Sequence, residues 1–590
     1  MAATFSVGID LGTTNSVLAS IPLGQEGATP EVVPVPQLTA PSTVEARPML
    51  PSFLYLGTPE EVEQGIFRLP WGTPPLAVGD WARRQGAEVP TRTVSGAKSW
   101  LAYSRVDRRQ AILPWNAPAE VAKISPVEAS RRVLEHALAA WAQAHPEAPI
   151  LEQQVVLTVP ASFDAVAREL TREAALQAGL PETFVLLEEP QAAIYAWLAD
   201  QSKNWRKLVR EGDVVVICDV GGGTTDLTLV SVTHEAGELV LKRLAVGNHI
   251  LVGGDNMDLA LAQLAQSRFA EKGVNLDAWQ SVALWHACRA AKETLLAPAG
   301  PDSCPVTVLG RGRRLIGGSV SVELTRAEVV TALTEGFFPP GTLQARPARR
   351  AQSGFKELGL PFEADPAITR HLSHFLNQQS GVRPTRVLFN GGVFKSDFFR
   401  HRVLEAVGGW YGLETGALEL DHNRDFDLAV ARGAAYYGRA KLEGGIRIRG
   451  GAPRSYYVGI EATGPAIPGI VRPLRHLCVV PRDLEEGTEL EVPGDTIGLL
   501  TGEPAEFRFF SSLTRQDSPG TVVTNWTEDE LQETSPLVAT LPPAAGGGSD
   551  FVPVRFHVRL TELGVLELWC VSAVSDDRWK LEFSVRDAEV

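Results

Sequence analysis

The chain has 590 residues and a formal net charge of −15 at pH 7; at that length one hydrophobic core cannot serve it, and roughly three to five compact units are expected. Its 44% hydrophobic content and mean hydropathy of −0.01 are those of an ordinary soluble protein. No run approaches the ~18 apolar residues of a membrane span, so no membrane partner is expected, and the acidic balance argues against nucleic-acid binding, which needs a basic surface. The five cysteines, Cys218, Cys288, Cys304, Cys478 and Cys570, are scattered and form no CxxC pair. A disulfide scaffold and a structural zinc site are therefore not expected, and a reducing cytoplasm is the expected location.

The opening MAATFSVGID lacks a basic segment and enters a strand-like run at once, so no secretory leader is expected there. From Val7 the chain reads VGIDLGTTNSVLAS, a β-branched run ending in Asp10, a Gly/Thr turn, and a second strand-like run. A glycine-tipped β-hairpin accounts for it, since glycine accepts backbone conformations that strain other residues. Helical spacing follows over 125–144. QQVVLTVPASF, from Gln153, reads as a buried strand ending at Pro160, and 164–179 as a helix stopped by Gly179. A strand-like run then meets Glu189-Pro190, where a helix over 190–199 begins. VVVICDVGGGTTDLTLV, from Val214, repeats the opening hairpin pattern, and two such hairpins predict two related α/β lobes facing each other across a cleft. Helices are expected over 256–270 and 278–296. The Pro-, Gly- and Arg-rich stretch 337–366 reads as a surface excursion within a variable region near 300–385. A strand over 386–389 runs into Gly391-Gly392, a helix begins near Ser396, and a last Ala/Gly-rich helix covers 427–442.

GGIRIRGGAPRS, from Gly444, reads as a linker. Beyond it, alternating runs such as PVRFHVRL and GVLELWCVSAV predict antiparallel strands, with AAGGGSD around Gly546 as a flexible connection. The expected fold is thus a two-lobed α/β nucleotide-binding unit of the actin-like ATPase type over 1–443, a linker over 444–453, and an all-β, β-sandwich-like domain over 454–590.

The two hairpin tips carry the chemistry. Close approach of backbone to phosphate requires missing side chains, and successive N–H groups in a turn form an anion nest; Gly12 and Gly221, Gly222 and Gly223 meet that need. Hydroxyls of Thr13, Thr14, Thr224 and Thr225 can donate further hydrogen bonds. Asp10 and Asp219 would repel a triphosphate unless a cation intervenes, and Mg²⁺, which favours hard oxygens and keeps several waters, answers that. Either tip alone is compatible with a plain glycine-rich hairpin; the pair is not. Glu189, at a helix start, reads as a charge–dipole residue by itself, and Lys98, in TVSGAKSWLAY, as a solvated lysine.

Taken in order, IDLGTTNS, LTVPASF, EEPQAA, DVGGGTTD, VGGDNMD, NGG and DLAVARGAA resemble the DnaK-like, 70-kDa heat-shock chaperones of the actin/sugar-kinase/heat-shock ATPase superfamily, over nearly all of residues 5–442. The resemblance implies ATP and ADP as nucleotides with Mg²⁺, and hydrolysis of ATP to ADP and phosphate. By position it implies that Lys98, from a segment like that holding the family's catalytic lysine, stabilises charge on the γ-phosphate. Thr13 and Thr14 would contact phosphates, with Gly12 and Asn15 in the same tip. Asp10, Glu189 and Asp219 would hold hydrated Mg²⁺ and the attacking water, Thr224 would lie beside the γ-phosphate, and Asp226 would complete the acidic group. Gly253, Gly254, Gly391 and Gly392 would border the nucleoside, with Lys292 opposite and Asp427 nearby. Pro160 and Arg168 match residues thought to relay nucleotide state to the second domain. Unfolded or extended polypeptides would be the clients, held by main-chain hydrogen bonds and side-chain pockets, with a J-domain co-chaperone and a nucleotide exchange factor as further partners.

Departures are as informative. Val393-Phe394-Lys395 follows Gly391-Gly392 where the family has Ser-Thr-Arg. Glu293 stands where a basic residue usually stacks on adenine, and Leu296 where a serine is usual. Phe184-Val185 replaces the basic residue before the Glu-Pro motif, which weakens ordinary J-domain docking. Ile446-Arg-Ile-Arg replaces the leucine-rich linker, although isoleucines could still add an edge strand. RSYYVGIE and VRFHVRLTELGVLELWCVSA resemble strands of the family's peptide-binding domain, and no helical lid is expected after them. A nucleotide-gated adaptor with little hydrolysis and a small-molecule kinase of the same superfamily remain as alternative readings.

Overall fold

β-branched runs on either side of each glycine turn pair as antiparallel hairpins, Phe5–Asp10 with Asn15–Pro22 and Val214–Val220 with Thr225–Glu235. The computed structural model describes residues 3–583 except 104, 116, 202–203, 236–237, 310–318, 349–359, 361, 380, 421–424, 445–447, 450–451, 453, 462–473, 483, 486, 501–503, 528–529, 535, 541–550 and 562–565. The flexible connection expected around Gly546, part of the 337–366 excursion and Ile446 lie outside the described residues.

Each hairpin gains a parallel strand on its first arm. Gln154–Val159 runs beside Phe5–Asp10, and Arg386–Asn390 beside Val214–Val220. The resulting N-terminal sheet has six strands, in the order Val185–Glu188, Gln154–Val159, Phe5–Asp10, Asn15–Pro22 and Glu31–Val32, with Leu50–Pro51 also on the fourth of these. The central sheet has five: Arg386–Asn390, Val214–Val220, Thr225–Glu235, Glu238–Val246 and Ile448–Arg449. The duplication read from the sequence is therefore a duplicated sheet topology. Register places Asp10 opposite Thr158 and Asp219 opposite Asn390, each on its parallel neighbour.

Helices Glu189–Gln201 and Ala429–Glu443 pack on each other between the sheets, and one apolar cluster joins Val156, Val185 and Leu187 of the first sheet to Val215, Ile217 and Leu388 of the second. The helices come close because small residues line the contact: a Cβ on Gly433 would stand 1.8 Å from the Ala192 carbonyl oxygen, and one on Gly8 2.2 Å from that of Ala431. The outer face of the first sheet is covered by Pro126–Ala144 and Ala165–Ala178, that of the second by Gly254–Glu271 and Ala278–Leu296. These helices, with Asp397–Tyr411, fall within a few residues of the sequence expectations. Small strands at Leu54–Leu56, Leu76–Val78 and Thr93–Val94 form a three-stranded sheet that no repeat or motif announced.

Among the described residues no helix follows Glu443. Ser455–Glu461, Leu474–Val480, Phe509–Ser512, Val522–Val523 and Gln532–Glu533 form one antiparallel sheet. Phe551–Leu560, Leu566–Ser572 and Arg578–Phe583 lead a second sheet of seven strands. Tyr456, Val458, Leu477 and Phe509 of the first share a buried cluster with Val554, Phe556, Leu568 and Leu581 of the second. Ala165, from the α/β part, belongs to the same cluster. The expected edge strand forms at Ile448–Arg449, which pairs parallel with Leu241 and Lys242. No helix of the described residues is long and apolar enough to cross a membrane.

Candidate nucleotide site

The two hairpin tips meet. A Cβ on Gly222 would stand 2.1 Å from the Thr14 hydroxyl oxygen, and one on Gly223 3.1 Å from the Thr13 methyl, so only glycine allows this approach. The tips are held by their carbonyl oxygens. Ser52 donates its amide to Thr14 O at 2.9 Å and its hydroxyl to Gly12 O at 2.7 Å. The first amides of helix Gly254–Glu271 do the same for the other tip, Gly254 N to Gly221 O at 3.0 Å and Asp255 N to Gly222 O at 2.7 Å. Carbonyl dipoles that would repel an anion are thereby engaged outside the turn.

Between the tips lies a cleft of about 580 Å³. It is lined by Asp10, Gly12, Thr13, Thr14, Asn15, Lys98, Glu189, Asp219, Gly221, Gly222, Thr224, Asp226, Gly254, Lys292, Gly391, Gly392 and Asp427, all expected from the sequence. Gly223, Thr225 and Gly253 do not line it. Thr225 is fully buried and donates its hydroxyl to Val252 O at 2.8 Å, so it braces the loop rather than facing a ligand. Gly253 backs onto the Gly221 and Gly222 carbonyls, where a Cβ would stand 2.7 and 2.6 Å away.

Each sheet grips its aspartate in the same way. Thr158 donates to Asp10 Oδ1 at 3.0 Å, and Asn390 donates its amide to Asp219 Oδ2 at 2.7 Å. Lys98, far from being solvated, has a side chain only 7% exposed and forms an ion pair with Glu189. The helix Ala97–Leu101 that carries it has all five of its residues buried, which fixes the ammonium against the cleft.

Burial pushes Asp10 and Asp219 above the usual carboxylate range; Lys98 pulls Asp10 back in part, while Glu189 raises Asp219 further. Glu189 is pushed up to about 7, by burial first, against the pull of Lys98 and with the help of Asp10. Burial acts the same way on Asp226, but His249, a hydrogen bond from Ser162 at 2.7 Å and Lys98 outweigh it and hold the carboxyl below its ordinary value. The Lys98 ammonium is held above its ordinary value because Glu189 and Asp10 outweigh its burial.

Behind Glu189 lies a feature absent from the sequence reading. Glu188, 4% exposed, accepts from Arg168 at 2.9 Å, from Gln191 at 3.1 Å, and from Arg243. Arg168 belongs to a helix on the first sheet and Arg243 to a strand of the second. Arg454, at the start of the C-terminal β region, is also buried and donates to Ser162 O at 2.6 Å and Ser511 Oγ at 3.1 Å. Thus one residue, Ser162, touches both Asp226 and the β region. Asn390, Arg83, Arg289 and Ser396 line the cleft without having been singled out; the duplicated register alone points to Asn390, as the counterpart of Thr158.

Four carboxylates, one buried and three partly buried, around one ammonium are an environment that a divalent cation fits, because it would offset their mutual repulsion. Carboxylates are hard oxygen donors, which suits an ion that keeps its waters, as Mg²⁺ does. Glycine turns with engaged carbonyls fit phosphates, and Asn390 Oδ1, buried and without a partner among the described residues, is a polar atom a bound group could satisfy.

A duplicated α/β hairpin architecture closed around such a cleft is that of the actin-like ATPase fold, and the sequence comparisons carry the same class. The sequence model of the family described as Hsp70 protein matches residues 70–335. The chain is 33% identical over 269 residues to the chaperone protein HscA of an Enterobacter species, covering 44% of this chain and 37% of that protein. It is 30% identical over 367 residues to an HscA homologue of Bordetella petrii, covering 60% and 49%, and 28% identical over 463 residues to one of Burkholderia orbicola, covering 72% and 65%. Over these stretches the chain resembles the Hsp70-like chaperones. It spans less than half the length of the first two of these relatives.

Proposed function

We propose that the protein is a cytoplasmic molecular chaperone that couples hydrolysis of Mg-ATP to binding and release of extended polypeptide segments. Its two-lobed ATPase domain would occupy 1–443, a linker 444–453 and a peptide-binding β-sandwich 454–590. The observation that carries the reading is one cleft shared by Asp10, Asp219 and Asp226 from two sheets and by Glu189 and Lys98 from two helices, between two touching glycine turns.

In this reading Thr13, Thr14 and Thr224, with the turn amides, bind and orient the phosphates. Asp10, Glu189, Asp219 and Asp226 would hold a hydrated Mg²⁺, which would supply positive charge to offset that of the phosphates. Lys98 places an ammonium against the γ-phosphate, where charge shifts during transfer. Glu189, pushed up to about 7, orients the attacking water and can accept its proton near neutral pH. The Arg454–Ser162–Asp226 contacts and the Ile448–Arg449 edge strand support communication with the β domain. A J-domain protein and a nucleotide exchange factor are the partners this class of cycle would use.

Phosphate release from ATP, measured with and without an unfolded polypeptide, tests the proposal. Stimulation by polypeptide is expected. Nucleotide binding without turnover would favour the gated adaptor instead, and turnover that requires a small hydroxylated acceptor would favour the kinase.

A further inference from the structure

Beyond the carboxylate cluster the cleft runs between helix Ala278–Leu296 and the turn 391–396. These walls approach each other at Gly254, where a Cβ would stand 3.4 Å from both Lys292 Nζ and Val393 Cγ2. Leu296, Val393, Phe399 and Phe426 contribute apolar lining to this part, which suits the flat face of a heteroaromatic base.

Two polar groups there face the base end of the cleft, the Ser396 hydroxyl and the Glu293 carboxylate. Ser396 is the N-cap of helix Asp397–Tyr411, a position whose hydroxyl ordinarily accepts an amide of the first turn. Here it makes no such bond: Ser396 is 4% exposed, and its hydroxyl has no hydrogen-bond partner among the described residues although the residue lines the cleft. A buried hydroxyl left unpaired is costly, so its place at the ligand wall is informative. Glu293 lines the same cavity from the opposite wall, solvent-exposed and within reach of the Arg289 charge. An ionised carboxylate can only accept hydrogen bonds. Guanine offers two adjacent donors, N1–H and the exocyclic amine. Adenine offers one amine beside a ring nitrogen whose lone pair a carboxylate repels.

We infer that Ser396 and Glu293 read the base of the nucleotide, and that the site takes guanine nucleotides at least as readily as adenine nucleotides. This rests on the nucleotide reading above and names the base within it. Ser396 pairs with a ring heteroatom of either purine; Glu293 accepts the paired donors of guanine. Neither residue touches the phosphate end.

Isothermal titration of the full chain with Mg-ATP, Mg-GTP and Mg-tripolyphosphate tests it. GTP is expected to bind at least as tightly as ATP. Ser396→Ala should weaken both nucleotides about 2- to 10-fold, the span of one net hydrogen bond, while tripolyphosphate binding stays the same. Glu293→Arg should move the GTP-to-ATP ratio towards ATP by about tenfold or more. A preference for ATP over GTP in the unmodified chain, or an equal effect of the variants on tripolyphosphate, overturns the inference while leaving the phosphate site standing. Failure to bind any of the three ligands would sink the nucleotide reading and this inference together.

Discussion

Glu188→Gln removes the charge at the centre of the Arg168–Glu188–Arg243 triad and leaves its shape nearly unchanged. The carboxylate is 4% exposed, and the side chains of Arg168 and Arg243 are 11% and 2% exposed. Arg168 and Arg243 would then lose the carboxylate they share in a dry site. Breaking a buried ion pair by removing one partner costs about 3–5 kcal/mol. The amide oxygen of glutamine still accepts one hydrogen bond, which places the expected loss near the lower end, about 3 kcal/mol. Calorimetry of the transition that includes the α/β region would measure it. The pH dependence has a definite sign. Burial raises the Glu188 carboxyl, but Arg243 and Arg168 outweigh it and hold the group below its ordinary value of 4.5. A depressed carboxyl contributes stability that is present above the unfolded value and lost as pH falls through the folded one. The penalty of the variant should therefore be full at neutral pH and shrink below pH 4.5. A triple variant, Arg168→Leu, Glu188→Met and Arg243→Leu, should recover much of the loss, because apolar packing replaces desolvated charge. A loss under about 1 kcal/mol at neutral pH for Glu188→Gln alone would refute the idea that the triad ties the two sheets.

Lys98→Ala should slow ATP hydrolysis in single-turnover assays by about 10²–10³-fold, as loss of one preorganised charge does, with nucleotide affinity changed far less. Gly391→Ala should destabilise or misfold the site, since φ is +85° there and a Cβ would stand 2.3 Å from Val220 O; reduced expression or a lowered melting temperature would report it. Glu189, pushed up to about 7, holds a proton in the folded ligand-free protein that the unfolded chain has released, so stability should fall as pH rises from 4.5 to about 7. That loss is on the order of 3 kcal/mol, and saturating Mg-ATP should flatten the profile in thermal-shift measurements. Arg454→Met should loosen the β region from the α/β part while both keep their folds, seen as faster cleavage near 444–453 by a protease.

Much of the site was legible because close approach leaves a residue signature. Gly222 must lack a side chain where Thr14 meets it, and Asp10 and Asp219 stand at equivalent strand ends, so repeated glycine and aspartate spacing carried the cleft. Lys98 was not legible from its own surroundings. Its burial comes from a short helix packed beneath the cleft, and nothing in TVSGAKSWLAY marks a lysine as desolvated. Thr225 shows the opposite error: adjacent threonines look alike in sequence, yet strand alternation turns Thr224 to the cleft and Thr225 to the interior. Glu188, Arg243 and Arg454 stayed invisible because their partners lie 20, 55 and 292 residues away, and a charge in a sequence does not announce a partner at that range.

Those long-range contacts bear on how a nucleotide could be felt outside its cleft. Asp226 is held below its ordinary pKa only because His249, Ser162 and Lys98 offset its burial. Ser162 spends its hydroxyl on that carboxylate and its carbonyl on Arg454, whose guanidinium is buried and whose own pKa burial depresses. A ligand that drew Asp226 towards a cation would compete for the Ser162 hydroxyl, and any shift of that residue would lengthen the bond to Arg454. The guanidinium would then lose an acceptor in a dry site, a change that costs more than a lost surface contact. Coupling needs a differential interaction of that kind, because a ligand shifts a conformational equilibrium only by its unequal affinity for the two states. Measured ATP affinity should therefore differ between the unmodified chain and Arg454→Met, and ATP should shift protease access near 444–453 in the unmodified chain, because linked equilibria act on each other in both directions.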